Sequence, residues 1–208
     1  MRILFEHCGS HNEAAAGAAA GWFVSWLVGR ATQVSSPIEA ALTTIGSAAA
    51  VAALSWKFKT PGLLLLVYGT LVLVLIGVTV FDIRKHTIPH IVTIPGMITG
   101  LILGSFVLPL GVGRSVTGFL VGGGVLMAAT IVEALRKKEI GGGDWKYAAM
   151  IGSFIGPQSI VVALVFTGIL GIVGGIVLAV AGVHGRPQAL GPWLSAGAVA
   201  SILFTRLS

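Results

Sequence analysis

The sequence predicts an all-α, polytopic membrane helix bundle of about seven or eight transmembrane or partly inserted helices. Three observations predict it. The 208 residues are 55% hydrophobic and only 10% charged, with a mean hydropathy of +0.97, where an ordinary soluble domain carries about 25% charge. Apolar runs recur along the whole chain, and several reach the roughly 20 residues that cross a bilayer. These runs lack the strict in–out alternation of barrel strands, which leaves helices as the structure able to satisfy its own backbone in lipid. Residues 1–208 read as one integral membrane domain. The opening "MRILFEHCGSHNEAAAG" does not have the pattern of a cleaved signal peptide.

The elements follow in order. Ala14 to Val28 is a short Ala/Gly-rich segment, and "GRATQVSSP" (29–37) interrupts it. Ile38 to Trp56 is rich in small residues that favour close helix packing. After "KFKTPG", Gly62 to Val80 is a strong span that ends at Phe81-Asp82, and the polar turn "IRKHTIPH" follows. Ile91 to Leu110 is the fourth span, with Pro95 near its start, where a missing N–H does little harm. Val116 to Leu135 is the fifth, with Gly122-Gly123-Gly124 placed for close backbone contact. "RKKEIGGGD" breaks the pattern. Trp145 to Phe154 is too short to cross alone and stops at "IGPQ". Ser159 to Val183 is long enough to span, and Trp193 to Phe204 is a short last segment.

The net charge of +6 is explained by positive loops on the cytoplasmic side, so no nucleic-acid partner is expected. Arg84 and Lys85 share one loop, and Arg136, Lys137, Lys138 and Lys146 flank another two spans later. Both loops therefore face the cytoplasm in this scheme, although Lys57 and Lys59 fall on the opposite side. The single cysteine, Cys8, supports neither a disulfide framework nor a metal site. No metal and no cofactor are expected.

The chain has two aspartates, Asp82 and Asp144, 62 residues apart (144 − 82). The topology puts both at the same membrane face. Two carboxyls that share a site cannot both ionise cheaply, so one stays a base and the other an acid. The base takes a proton from a water and the acid donates to a scissile carbonyl oxygen, which is aspartic-protease chemistry. Gly141, Gly142 and Gly143 precede Asp144. A backbone without side chains can take an extended peptide by strand addition, and a helical substrate must unwind before it is cut. Each motif taken singly also reads as ordinary local structure: glycine after "RKK" as a helix stop, Asp144 as an N-cap, Asp82 as an interfacial residue. Intramembrane acids and glycine-broken helices also mark proton-coupled transporters, which keeps a small carrier as the alternative reading. A non-catalytic membrane scaffold is a third. No inverted repeat is visible, and the aspartates lie at one face instead of the midplane.

At these residues the chain resembles the type IV prepilin peptidases, membrane aspartic proteases of the Gly-x-Gly-Asp class. "FDIRKHTIPHIVTIPG" (81–96) is similar to the family's first catalytic segment, and "GGGDWKYAAMIGSFIG" (141–156) to its second. "PQALGPWLSAGAVASIL" (187–203) resembles its C-terminal segment, and "SSPIEAALT" (35–43) weakly resembles the stretch after the family's cytoplasmic loop. The resemblance implies that Asp82 and Asp144 are the catalytic pair and that Gly141 and Gly143 shape the site. It also aligns Lys146 with the family's lysine, placed to act on a carboxylate or on substrate. It implies cleavage of prepilin or pseudopilin leaders at the cytoplasmic face of the inner membrane, with membrane lipid around a multi-pass chain. Three positions depart from the family pattern. "GRATQVSSP" has no cysteine, where many members carry a zinc-binding loop with paired Cys-x-x-Cys motifs, and N-methyl transfer is therefore not expected. His90 follows Pro89 where Asn or Asp is usual, and Ala189-Leu190 replaces Pro-Phe before Gly191-Pro192. Neither the particular prepilin nor the oligomeric state is legible in the sequence.

Overall fold

The computed structural model describes residues 63–135, 142–180 and 190–205, together with Ala49, Ala53 and Leu54. The two predicted N-terminal segments lie outside these residues except for Ala49, Ala53 and Leu54, which are helical. Every regular element among the described residues is a helix: α1 (Leu63–Lys85), α2 (His90–Phe106), α3 (Gly111–Leu135), α4 (Asp144–Val180) and α5 (Gly191–Phe204). Three of them, α1, α3 and α4, are long and apolar enough to cross a membrane. The chain divides into two compact units, Met1–Arg84 and Lys85–Ser208.

In the first unit, α1 has 23 residues, about 35 Å at 1.5 Å per residue, enough for a hydrocarbon core of about 30 Å. It runs to Lys85, a few residues past the expected end at Phe81-Asp82, so Asp82 lies within its last turn. Tyr68, Leu71, Val72, Leu75, Val78 and Asp82 are buried and recur at helical spacing on one face. The chain turns directly after α1. His86 adopts a left-handed φ of 48°, the conformation that commonly ends a helix and that His tolerates better than branched residues.

In the second unit α4 packs against α2, α3 and α5, and α2 packs against α3. The stop expected at "IGPQ" is a sharp kink where two helical stretches meet, so α4 is helical on both sides of Gly156 but not through it. Gly156 has φ 78° and ψ 174°, a backbone region open essentially only to glycine, and Pro157 follows without an N–H. Pro157 would normally serve the carbonyl four residues back, that of Ser153. The buried Ser115 of α3 serves it instead, its Oγ donating to the Ser153 carbonyl at 2.9 Å.

Close approach depends on small residues. Along α2, a Cβ at Gly100 would meet the Phe154 ring at 2.7 Å, and one at Gly104 would meet the Ser115 Oγ at 2.5 Å. Between α3 and α4, a Cβ at Gly118 would meet the Gly156 Cα at 2.8 Å, and one at Gly123 the Ala149 Cβ at 2.9 Å. Of the three glycines expected to make close contacts, Gly122 and Gly123 do so, while Gly124 has open space beside it. α5 is tied to α4 by buried hydroxyls: Ser201 Oγ donates to the Ser159 carbonyl at 2.6 Å, and Ser159 Oγ pairs with Thr205 Oγ1 at 2.9 Å. The outer faces are apolar, with Leu120, Ile131, Val165, Ile172 and Ile176 exposed, as lipid contact requires. α2 and α5, at 17 and 14 residues, are shorter than a full crossing at 1.5 Å per residue.

Candidate active site

Asp82 occupies the last turn of α1 and is 4% exposed. Charged side chains are almost never buried to this degree unless they are paired or functional. It continues the stripe of core leucines and valines, so the same periodicity that packs α1 also places the carboxyl.

Asp144 is the first residue of α4 and is half-buried. The Gly143 carbonyl accepts the Tyr147 N–H at 3.0 Å, which makes Gly143 the residue that caps the helix and puts the Asp144 carboxylate in the first turn. That turn carries the positive end of the helix dipole and its unserved N–H groups.

The glycines divide into different tasks. Gly141 lies outside the described residues. Gly142 is exposed, with only the Trp145 indole nitrogen near, 3.8 Å from where a Cβ would stand. Gly143 is packed: a Cβ there would come within 3.0 Å of the Ile88 Cβ. Ile88 is itself buried and precedes Pro89, which caps α2. The two motif segments thus meet at Ile88 and Gly143, and of the two described glycines before Asp144 only Gly142 leaves open backbone. Lys146, half-buried, holds its Nζ 5.5 Å from the centre of the Trp145 ring, a cation–π distance. That contact holds the ammonium on the face of the neighbouring indole, within the first turn of α4.

Residues the sequence reading did not single out also support the site. Tyr147 is fully buried, three residues after Asp144, and its hydroxyl pairs with Ser195 Oγ of α5 at 2.7 Å. Ser195 Oγ in turn donates to the Gly191 carbonyl at 2.8 Å, which fastens the first turn of α4 to the start of α5. The fourfold spacing of Gly96, Gly100 and Gly104 is a small-residue signature that marks α2 as a packing helix beside α4.

With these features in view, the class is that of a helical membrane protein carrying an aspartate at a glycine-preceded helix start. Residues 69–176 match the type IV leader peptidase family; the match covers 108 of the 208 residues, just over half of the chain. The chain belongs to that family. It is 31% identical over 183 residues to the prepilin leader peptidase/N-methyltransferase of Aeromonas hydrophila, covering 82% of this chain and 60% of that protein. It is 30% identical over 183 residues to the enzyme of the same name from Aeromonas salmonicida strain A449, with the same coverage. The chain therefore spans about 60% of the length of the curated relatives it matches. No solved structure matches it.

Proposed function

We propose that the chain is a membrane aspartic endopeptidase that removes the leader peptide of type IV prepilins or pseudopilins at the cytoplasmic face of the inner membrane. The observation that carries this reading is that the family match, 69–176, contains both aspartate segments. In the proposed reaction Asp82 and Asp144 share one proton. The ionised carboxyl takes a proton from water, the water oxygen attacks the scissile carbonyl carbon, and the protonated carboxyl donates to the carbonyl oxygen. Collapse of the tetrahedral intermediate breaks the C–N bond and delivers a proton to the leaving amine. No covalent enzyme intermediate and no cofactor are needed. Gly141 and Gly142 offer backbone to the extended substrate, Gly143 holds the segment against Ile88, and Lys146, two residues after Asp144 in the same turn, is the positive group of the site. Burial of Asp82 and placement of Asp144 in a helix first turn both support a functional role over a solvated one.

The test is processing of an epitope-tagged prepilin by membranes that contain the wild type, Asp82→Asn or Asp144→Asn. Each variant is expected to lose activity by about 10²-fold or more, the usual weight of a general acid or base. Full cleavage by both single variants refutes the aspartic mechanism. Accumulation of unprocessed prepilin with both variants, at wild-type protein levels, supports it.

A further inference from the structure

Of the seven described threonines inside helices, six send their hydroxyl to the carbonyl four residues back. They are Thr70, Thr79, Thr99, Thr117, Thr130 and Thr167, each at 2.7–2.8 Å. Thr93 is the exception. It is 0% exposed, and its Oγ1 has no hydrogen-bond partner among the described residues. The carbonyl four residues back belongs to Pro89, which already accepts the N–H groups of Val92 and Thr93, at 3.1 and 3.3 Å. A buried hydroxyl without a partner is destabilising. The other helical threonines show the local alternative that this one leaves unused.

Thr93 lies on the face of α2 that packs against α4. Gly96 meets Met150, and Gly100 meets Ser153 and Phe154. One turn before Gly96, the same stripe brings Thr93 to the level of the first turn of α4, between the Ile88–Gly143 contact and the Gly96–Met150 contact. Asp144 lies in that turn. Among residues of Lys85–Ser208 with described side chains, it is the only carboxylate. Gly142, exposed and with only the Trp145 indole nitrogen near among the described residues, allows the start of α4 to adjust.

We propose that Thr93 is a positioning residue for the peptidase reaction. Its hydroxyl is the donor that the Asp144 carboxyl takes up when substrate is bound, which fixes the carboxyl rotamer for catalysis. The assignment rests on the aspartic peptidase reading above. The Thr93 hydroxyl, buried and without a partner among the described residues, is a donor held ready, so the stability it costs is recovered in the reactive complex.

The experiment compares Thr93→Val, Thr93→Ser and the wild type, purified in detergent, on a prepilin peptide spanning the cleavage site. Steady-state kinetics and thermal unfolding are recorded for each. Thr93→Val keeps the side-chain shape and removes the hydroxyl. It is expected to lower kcat about 10- to 100-fold with KM unchanged and to leave Tm unchanged or raised. Thr93→Ser is expected to stay within about threefold of wild-type kcat. A Thr93→Val variant with wild-type kcat overturns the assignment while the peptidase reading stands. A Thr93→Val variant that loses stability also overturns it, because the hydroxyl then has a partner in the resting protein. A wild type that does not cleave the peptide, with Asp144→Asn indistinguishable from it, refutes the peptidase reading and the assignment with it.

Discussion

Ser115→Ala isolates the way α4 survives its own proline. Pro157 has no N–H for the Ser153 carbonyl, and the Ser115 hydroxyl donates to that carbonyl at 2.9 Å from a fully buried position. Removing the hydroxyl leaves a buried carbonyl unserved. Such a loss costs about 1–3 kcal/mol in soluble proteins, and interhelical hydrogen bonds in membrane proteins average about 0.6 kcal/mol with a ceiling near 1.7. Alanine regains a few tenths of a kcal/mol in helix propensity. The expected net destabilisation is about 1–1.5 kcal/mol, a fall in Tm of roughly 2–6 °C for a chain of this size. The control is Thr117→Ala on the same helix. Its hydroxyl is exposed and donates to the Gly113 carbonyl at 2.8 Å, a group that water or headgroups can serve, so its stability should stay within about 0.5 kcal/mol of wild type. Reversible unfolding in mixed detergent–SDS micelles measures both. If Ser115→Ala is as stable as Thr117→Ala, the Ser153 carbonyl is served by some other group and the account of the bend is wrong.

Gly118→Ala and Gly124→Ala should change stability in opposite directions in the same assay. A Cβ at Gly118 collides with the Gly156 backbone at 2.8 Å and should cost about 1–3 kcal/mol, while Gly124 has open space beside it and should gain up to about 1 kcal/mol in propensity. Tyr147→Phe removes the 2.7 Å contact with Ser195 and is expected to destabilise by about 0.5–1.5 kcal/mol; an unchanged Tm would show that α5 does not depend on this tether. Mass spectrometry of prepilin processed by this chain alone should find an unmethylated N-terminal amine, because the loop at 29–37 carries no cysteine; a mass increase of one methyl group would locate a transfer site in this chain.

The sequence by itself determined the class of molecule. A chain with 10% charge and repeated apolar runs can satisfy its backbone in lipid only as helices or a closed barrel, and the missing in–out alternation excluded the strands. It also determined the candidate acids, because two aspartates in 208 residues leave little choice, and each stands in a segment with recognisable neighbours. Hydropathy reports where apolar runs stop but not whether the backbone stops with them. Hence Asp82, expected at the end of a span, lies on the buried stripe of a helix that continues to Lys85, and the break expected at "IGPQ" is a kink that a positive-φ glycine permits and Ser115 completes. Glycine counts likewise mark close approach without assigning it: only packing decided that Gly122 and Gly123 meet α4 while Gly124 does not, and that Gly143 is pressed on Ile88 while Gly142 is open. The unpartnered hydroxyl of Thr93 was legible nowhere in the sequence. Whether a threonine bonds to its own helix or waits for another group depends on which carbonyl is free and which helix faces it, and both are tertiary facts.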